Sequence, residues 1–266
     1  MLSKPLLKAT IKQNYIVLLI IIGVLMIYMP TIVSMYDPKT QESLNEMLKM
    51  MPKEVISAMG FSSPVSDLLS FIATYFYGFL ILLLPMIYTI IVANRTIASH
   101  VDKGSMAYLL STPNTRAKIA CTQAFYLLTS ITLLITFVTL SGISMCQILF
   151  PGDLNIKGFI LLNLGALLLY YALTGIGFFA SCFFNDTKNS LALGAGLPVA
   201  FLLFQMVSDI GDATKFFKYL SLYTLFDPAT IITGEGYAVS YLVLVVIGVV
   251  MYTAGILSFH KKDLTL

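Results

Sequence analysis

Six long apolar runs separated by polar connections organise the chain. They cover residues 15–35, 71–93, 124–150, 158–184, 190–208 and 236–259, and none contains Asp, Glu, Lys or Arg. About 20 apolar residues in helical conformation cross the hydrocarbon of a bilayer, because a helix satisfies its backbone polar groups internally. The pattern therefore predicts an all-α integral membrane protein of six spans in one domain, residues 1–266. The first run is followed by no small-residue cleavage site, so it reads as a retained span rather than a signal peptide. The fifth run is the shortest and holds Gly194, Gly196 and Pro198.

Three connections carry a pattern of their own. Residues 1–14 place Lys4, Lys8 and Lys12 on one helical stripe, with Leu7 and Ile11 elsewhere on the surface, as in a helix lying in the membrane interface before the chain turns inward. Leu44, Met47, Leu48, Met51, Val55 and Met59 recur at helical spacing, interrupted at Pro52, and predict an external amphipathic helix pair between the first two spans. Residues 215–236 are aromatic and half-apolar, with Asp209, Asp212 and Glu235 beside them, which suits a re-entrant or interfacial segment. Within the spans, Ala192, Gly196 and Ala200 form a small-residue stripe on the fifth, and Gly177 and Ser181 offer a similar face on the fourth. Such faces allow close helix packing or a sliding surface.

Composition sharpens this picture. Hydrophobic residues make up 58% of the chain and charged residues 11%, against roughly 25% charged in a soluble domain. The N-terminus (Lys4, Lys8, Lys12), the second connection (Arg95, Lys103, Arg116, Lys118), the fourth (Lys188) and the tail (Lys261, Lys262) carry ten Lys/Arg but only Asp102, Asp186 and Asp263 as acids. The other connections hold six Lys/Arg and ten acids. By the positive-inside rule both termini are expected to be cytoplasmic.

Catalytic chemistry finds little to work with. Cys121, Cys146 and Cys182 lack disulfide or zinc-site spacing. No phosphate loop G-x-x-x-x-G-K-[ST] occurs, so ATP is not bound by that means. His100 and His260 sit at span edges, and no ionisable Asp, Glu, Lys or His lies inside a span to serve as an ion relay. No cofactor, metal or nucleic acid is expected on this chain. Any energy source for transport is expected on a partner. A free-standing channel or carrier and a non-transporting assembly factor are the competing readings.

Residues 99–118, "SHVDKGSMAYLLSTPNTRAK", stand out between two apolar runs. Gly104 and Ser105 start a short helix, with Ser105 as the expected N-cap, and Pro113 stops it. Met106, Leu109 and Leu110 share one apolar face suited either to a groove on a partner protein or to anionic headgroups. The arrangement of Asp102, Gly104, Ser105, Leu109, Leu110, Pro113 and Arg116 resembles the acidic-x-x-G-T-x-x-x-L-L-x-x-P-x-x-R connection of the second-type permeases of ATP-binding-cassette (ABC) transporters. The order of the other features is similar to that family over the whole chain, down to the closing "FHKKDLTL". The chain departs from the family pattern in carrying a single acid, Asp102, before the glycine, Ala107 after it, and Gln123 where a Lys commonly opens the third span.

The resemblance implies a permease subunit of an ABC exporter, in a bacterial plasma membrane. Residues 104–113 would be the coupling helix seated on a separate ATPase subunit that carries ATP and Mg. Asp186 and Lys188 would make a second cytoplasmic contact, and a second permease chain, identical or similar, would complete the pathway. An amphipathic cargo such as a peptide, lipid or drug suits the uncharged, aromatic-rich spans.

Overall fold

The computed structural model describes residues 2–37, 50–51, 67–112, 114–208, 212–234 and 236–262. Six helices among them are long and apolar enough to cross a membrane, and no strand occurs among the described residues. The expected external helix pair lies almost wholly outside the described residues, as do Pro113 and the end of the tail.

Helix α1 runs Lys4–Ser34 without a break. The basic N-terminal stretch is helical as expected, but it forms the first turns of the first span rather than a separate helix. Buried polar side chains pin it there. The Gln123 amide donates to the Thr10 hydroxyl at 3.1 Å, Arg95 donates to the Asn14 side-chain Oδ1 at 3.3 Å, and the Ser3 backbone N–H donates to the Thr122 hydroxyl at 3.0 Å. Having 31 residues, α1 is about 46 Å long at 1.5 Å per residue, which exceeds the hydrocarbon thickness and leaves its basic turns outside it.

The second span is broken. It starts as α2 (Leu68–Ile72), widens into a π-helical turn (Ala73–Tyr77), interrupts at Gly78 and Phe79, and resumes as α3 (Leu80–Thr96). Pro85 inside α3 has no N–H, which removes the helical partner of the Ile81 carbonyl. The Tyr170 hydroxyl supplies the missing donor, at 2.7 Å from the Ile81 oxygen and 2.6 Å from that of Leu82. Two short helices follow, α4 (Ala98–Asp102) and α5 (Ser105–Ser111). The third span is α6 (Arg116–Leu149), the fourth α7 (Ile156–Phe183), the fifth α8 (Thr187–Ser208) and the sixth α10 (Tyr237–Lys261). Between the last two lie 3₁₀ segments Asp212–Leu220 and Leu222–Leu225 and the short helix α9 (Pro228–Thr233).

Helix α7 is the centre of the bundle, touching α10, α3, α8 and α6. Two-thirds of its most apolar window is buried (67%), against 22% for α8. Glycines allow its closest contacts. A Cβ on Gly177 would stand 2.8 Å from the Ala93 methyl, and one on Gly194 would stand 3.4 Å from the Gly177 Cα. The residues of α8 that meet the bundle are Ser190, Gly194, Pro198 and Leu202. The stripe Ala192, Gly196, Ala200 has the same spacing but sits two residues out of phase, on the roughly opposite face of a 3.6-residue helix. Ala192 and Gly196 are exposed, Ala200 is half-buried, and a Cβ on Gly196 would meet nothing within 4 Å. The stripe therefore does not pack α8 into its own bundle, which corrects the expectation for it.

Candidate functional site: the elbow between the second and third spans

The two basic connections and the described residues nearest the chain ends, Ser3 and Lys262, converge on one end of the bundle. Helix α3 ends at Thr96, and the chain bends at Ile97 (φ −130°, ψ −54°) into α4. A bend leaves backbone N–H groups without helical partners. Ser181 of α7, fully buried, satisfies two of them. Its Oγ accepts from the N–H of Ile97 at 3.2 Å and of Ala98 at 2.9 Å, with Thr96 Oγ1 at 3.4 Å. Ser181, expected as a packing residue, thus caps the root of the elbow.

The elbow turns again at Gly104, whose φ of +69° is the left-handed conformation that glycine adopts without strain. Gly104 occupies the N-cap position of α5 with no side-chain cap, so the expected N-cap role of Ser105 is corrected. Ser105 is the first helical residue. Its hydroxyl donates to the His100 carbonyl oxygen at 3.2 Å and lies 3.0 Å from His100 Nδ1. Burial, helped by the Lys103 cation, lowers the His100 pKa and favours the neutral imidazole. At the far end the Thr115 hydroxyl accepts from the Lys118 N–H at 3.2 Å and caps α6.

Met106 has no exposed surface, and Leu109 and Leu110 are half-buried against the core. The apolar stripe read from the sequence therefore hangs α5 on the bundle, and Met106 is not presented outward. The opposite stripe, Gly104, Ala107, Tyr108 and Ser111, is exposed, and the Tyr108 side chain stands 79% exposed. Tyr108 was missed because apolarity was taken to mark the outward face. Its signal was a lone aromatic opposite an apolar stripe.

The polar members are engaged within the chain. The Thr187 hydroxyl donates to the Asp102 carboxylate, joining the elbow to the start of α8. Asp186 caps α8, accepting from the Asn189 N–H at 2.7 Å and its side-chain amide at 2.9 Å, while Lys188 is exposed. Arg116 donates to the Lys262 carbonyl oxygen. Lys262 was not singled out from the sequence. Its ammonium donates to the end carbonyls of α7, Cys182 at 3.0 Å and Phe184 at 2.6 Å. Burial lowers the Lys262 pKa, while Cys182 and Asp186 act in the opposite sense. No group of three or more metal-ligating side chains occurs among the described residues.

Six membrane-length helices with α7 at their centre, their apolar runs free of Asp, Glu, Lys and Arg, define a multi-pass membrane protein with a short helix braced at its basic end. The family model described as ABC-2 family transporter protein matches residues 7–264, and the chain belongs to that family. Members of the family work with an ATP-binding subunit. Comparison with curated proteins and with solved structures gives no match.

Proposed function

We propose that the chain is the membrane subunit of an ABC exporter and that a separate ATPase subunit docks on the elbow. The observation that carries this reading is the outward stripe Gly104, Ala107, Tyr108, Ser111 on a helix whose other face is anchored by Met106. Force delivered to such a helix reaches α7 through Ser181 and α8 through the Asp102–Thr187 contact. With no Asp, Glu, Lys, Arg or His inside an apolar run, ATP and Mg on the partner would supply the energy. Asp186 and Lys188, beside the elbow, would complete the docking surface.

By the positive-inside rule this end, with both termini, would be cytoplasmic, and the likeness to compact half-size permeases supports a bacterial plasma membrane. A second permease chain would face the least buried spans, α8 among them, and an amphipathic peptide, lipid or drug would pass between the two. The test is photo-crosslinking from a benzophenone amino acid at Tyr108 in native membranes. A crosslink to a chain bearing a phosphate loop is the expected product. Crosslinks to lipid alone, with the chain purifying free of any ATPase, would overturn the reading in favour of a carrier or channel.

A further inference from the structure

A cavity of about 290 Å³ opens at the other end of the bundle, where α2 begins and α8 ends. Its apolar wall is Tyr77, Leu82, Phe226 and Ile232. Its polar lining is Thr74, Gln205, Lys218, Thr224 and Asp227, with Ser70 at the side. The break in the second span lies against it: the π-helical turn Ala73–Tyr77 supplies Ala73, Thr74 and Tyr77, and Gly78 follows. Non-helical backbone at membrane depth is tolerated where it lines a cavity, and π-helical turns occur frequently at functional sites.

The two charges are placed to act on a ligand. Asp227 Oδ1 accepts from the Ala229 N–H at 3.0 Å and so caps α9. Among the described residues, its other carboxylate oxygen makes no hydrogen bond, and the Lys218 ammonium makes no hydrogen bond or ion pair. Lys218 and Thr224 also line a second, more open groove of about 540 Å³ on the other side of the 3₁₀ segments. The Thr224 hydroxyl is already engaged with Gln205 Oε1, at 2.7 Å, and with the Lys218 carbonyl, so the lining offers chiefly one cation and one anion above an aromatic floor. A volume near 300 Å³ is at the small end of ligand sites and admits a headgroup-sized fragment, not a folded peptide.

We propose that this cavity binds a small zwitterion, the phosphoethanolamine headgroup of a membrane lipid, with its phosphate on Lys218 and its ammonium on Asp227. The second groove beside Lys218, about 540 Å³, leaves room for part of an acyl chain. The site is independent of the ATPase contact, so failure here leaves the docking reading standing.

The chain contains no tryptophan, so Ile232→Trp on the half-buried cavity wall creates a single fluorescent reporter. The full-length chain is placed in phosphatidylglycerol nanodiscs and titrated with glycerophosphoethanolamine, the water-soluble headgroup. Expected is a saturable emission change, at least tenfold weaker in affinity with glycerophosphoglycerol, which lacks the ammonium. Lys218→Gln and Asp227→Asn in the reporter background should each weaken binding at least tenfold with thermal unfolding unchanged. An equal response to glycerophosphoglycerol or inorganic phosphate would overturn the zwitterion assignment. A response to free glycine as strong as to the headgroup would overturn the lipid assignment. No response from a folded reporter, or full binding in both charge variants, would overturn the site.

Discussion

Replacing Tyr108 by Ala should weaken ATPase association about thirtyfold while leaving the membrane bundle intact. Aromatic side chains bury 150–250 Å² when fully covered. With 79% of Tyr108 exposed in the free chain, roughly 160 Å² remains to be covered by a partner, a ceiling of about 4 kcal/mol at ~25 cal/mol per Å². Ordering the side chain costs about 0.5–1.5 kcal/mol, and alanine keeps part of the contact, so about 2 kcal/mol is expected at a central aromatic anchor. That corresponds to a roughly thirtyfold rise in Kd. The assay is biolayer interferometry between the chain in nanodiscs and the purified ATPase subunit. Tyr108→Phe should keep most of the affinity, since the ring carries the area. Met106→Ala removes a fully buried side chain and should appear first as a loss of thermal stability, about 2–5 kcal/mol for a cavity of this kind. An unchanged Kd for Tyr108→Ala, with Met106→Ala stable, would refute the assignment of the two faces.

Three further outcomes follow from the hydrogen bonds. Ser181→Ala orphans the N–H groups of Ile97 and Ala98; it should cost about 1–3 kcal/mol, and hydrogen exchange should rise at residues 97–102 while α1 is unaffected. Tyr170→Phe leaves the Ile81 carbonyl beneath Pro85 without a donor and should lower the unfolding temperature in detergent by an amount equivalent to about 1–2 kcal/mol. His100 has a folded pKa below its ordinary 6.5, so the unfolded chain binds more protons as pH falls below about 6.5, and stability is lost in that window and not above it. Thermal unfolding between pH 7.5 and 5 should show the wild type losing stability relative to His100→Gln; parallel curves would remove the imidazole as the cause.

Six spans were legible because charge was absent from six runs, and each is helical, the second with a break at Gly78 and Phe79. Their limits were less so. Helix α6 starts at Arg116, well before the apolar run at 124, because a 34-residue helix outreaches the hydrocarbon and carries its basic first turn beyond it. What periodicity did not give was phase. On α8 the spacing of four was right, but Gly194 and Pro198 face the bundle where Ala192 and Gly196 were expected. On α5 the apolar stripe was right, but it faces inward. Both errors have one physical origin. In lipid an apolar face has no preferred side, and on a short helix beside a bundle the nearest apolar surface is the bundle itself. The contacts that fix the elbow were not readable at all, since Asp102–Thr187 and Arg116–Lys262 join residues far apart in sequence.

The distribution of polar contacts bears on how such a subunit moves. Near the elbow, the interhelical ties are hydrogen bonds: Ser181 to α4, Lys262 to the end of α7, and Thr10 to Gln123. About one turn further in, α7 meets α3 and α8 through Gly177, Ala93 and Gly194, where backbones approach, and at mid-bundle the Tyr170 hydroxyl ties α7 to α3 again through the Ile81 and Leu82 carbonyls. Hydrogen bonds are directional and resist displacement, whereas small-residue faces slide with little change in contact. Helices α3 and α7 are therefore tied on both sides of the glycine contact, by Ser181 at the elbow and by Tyr170 beyond it, whereas α8 meets α7 there through Gly194 and is tied to the elbow by Thr187. The glycine contact also stops short of the cavity, where the second span is already broken at Gly78 and Phe79.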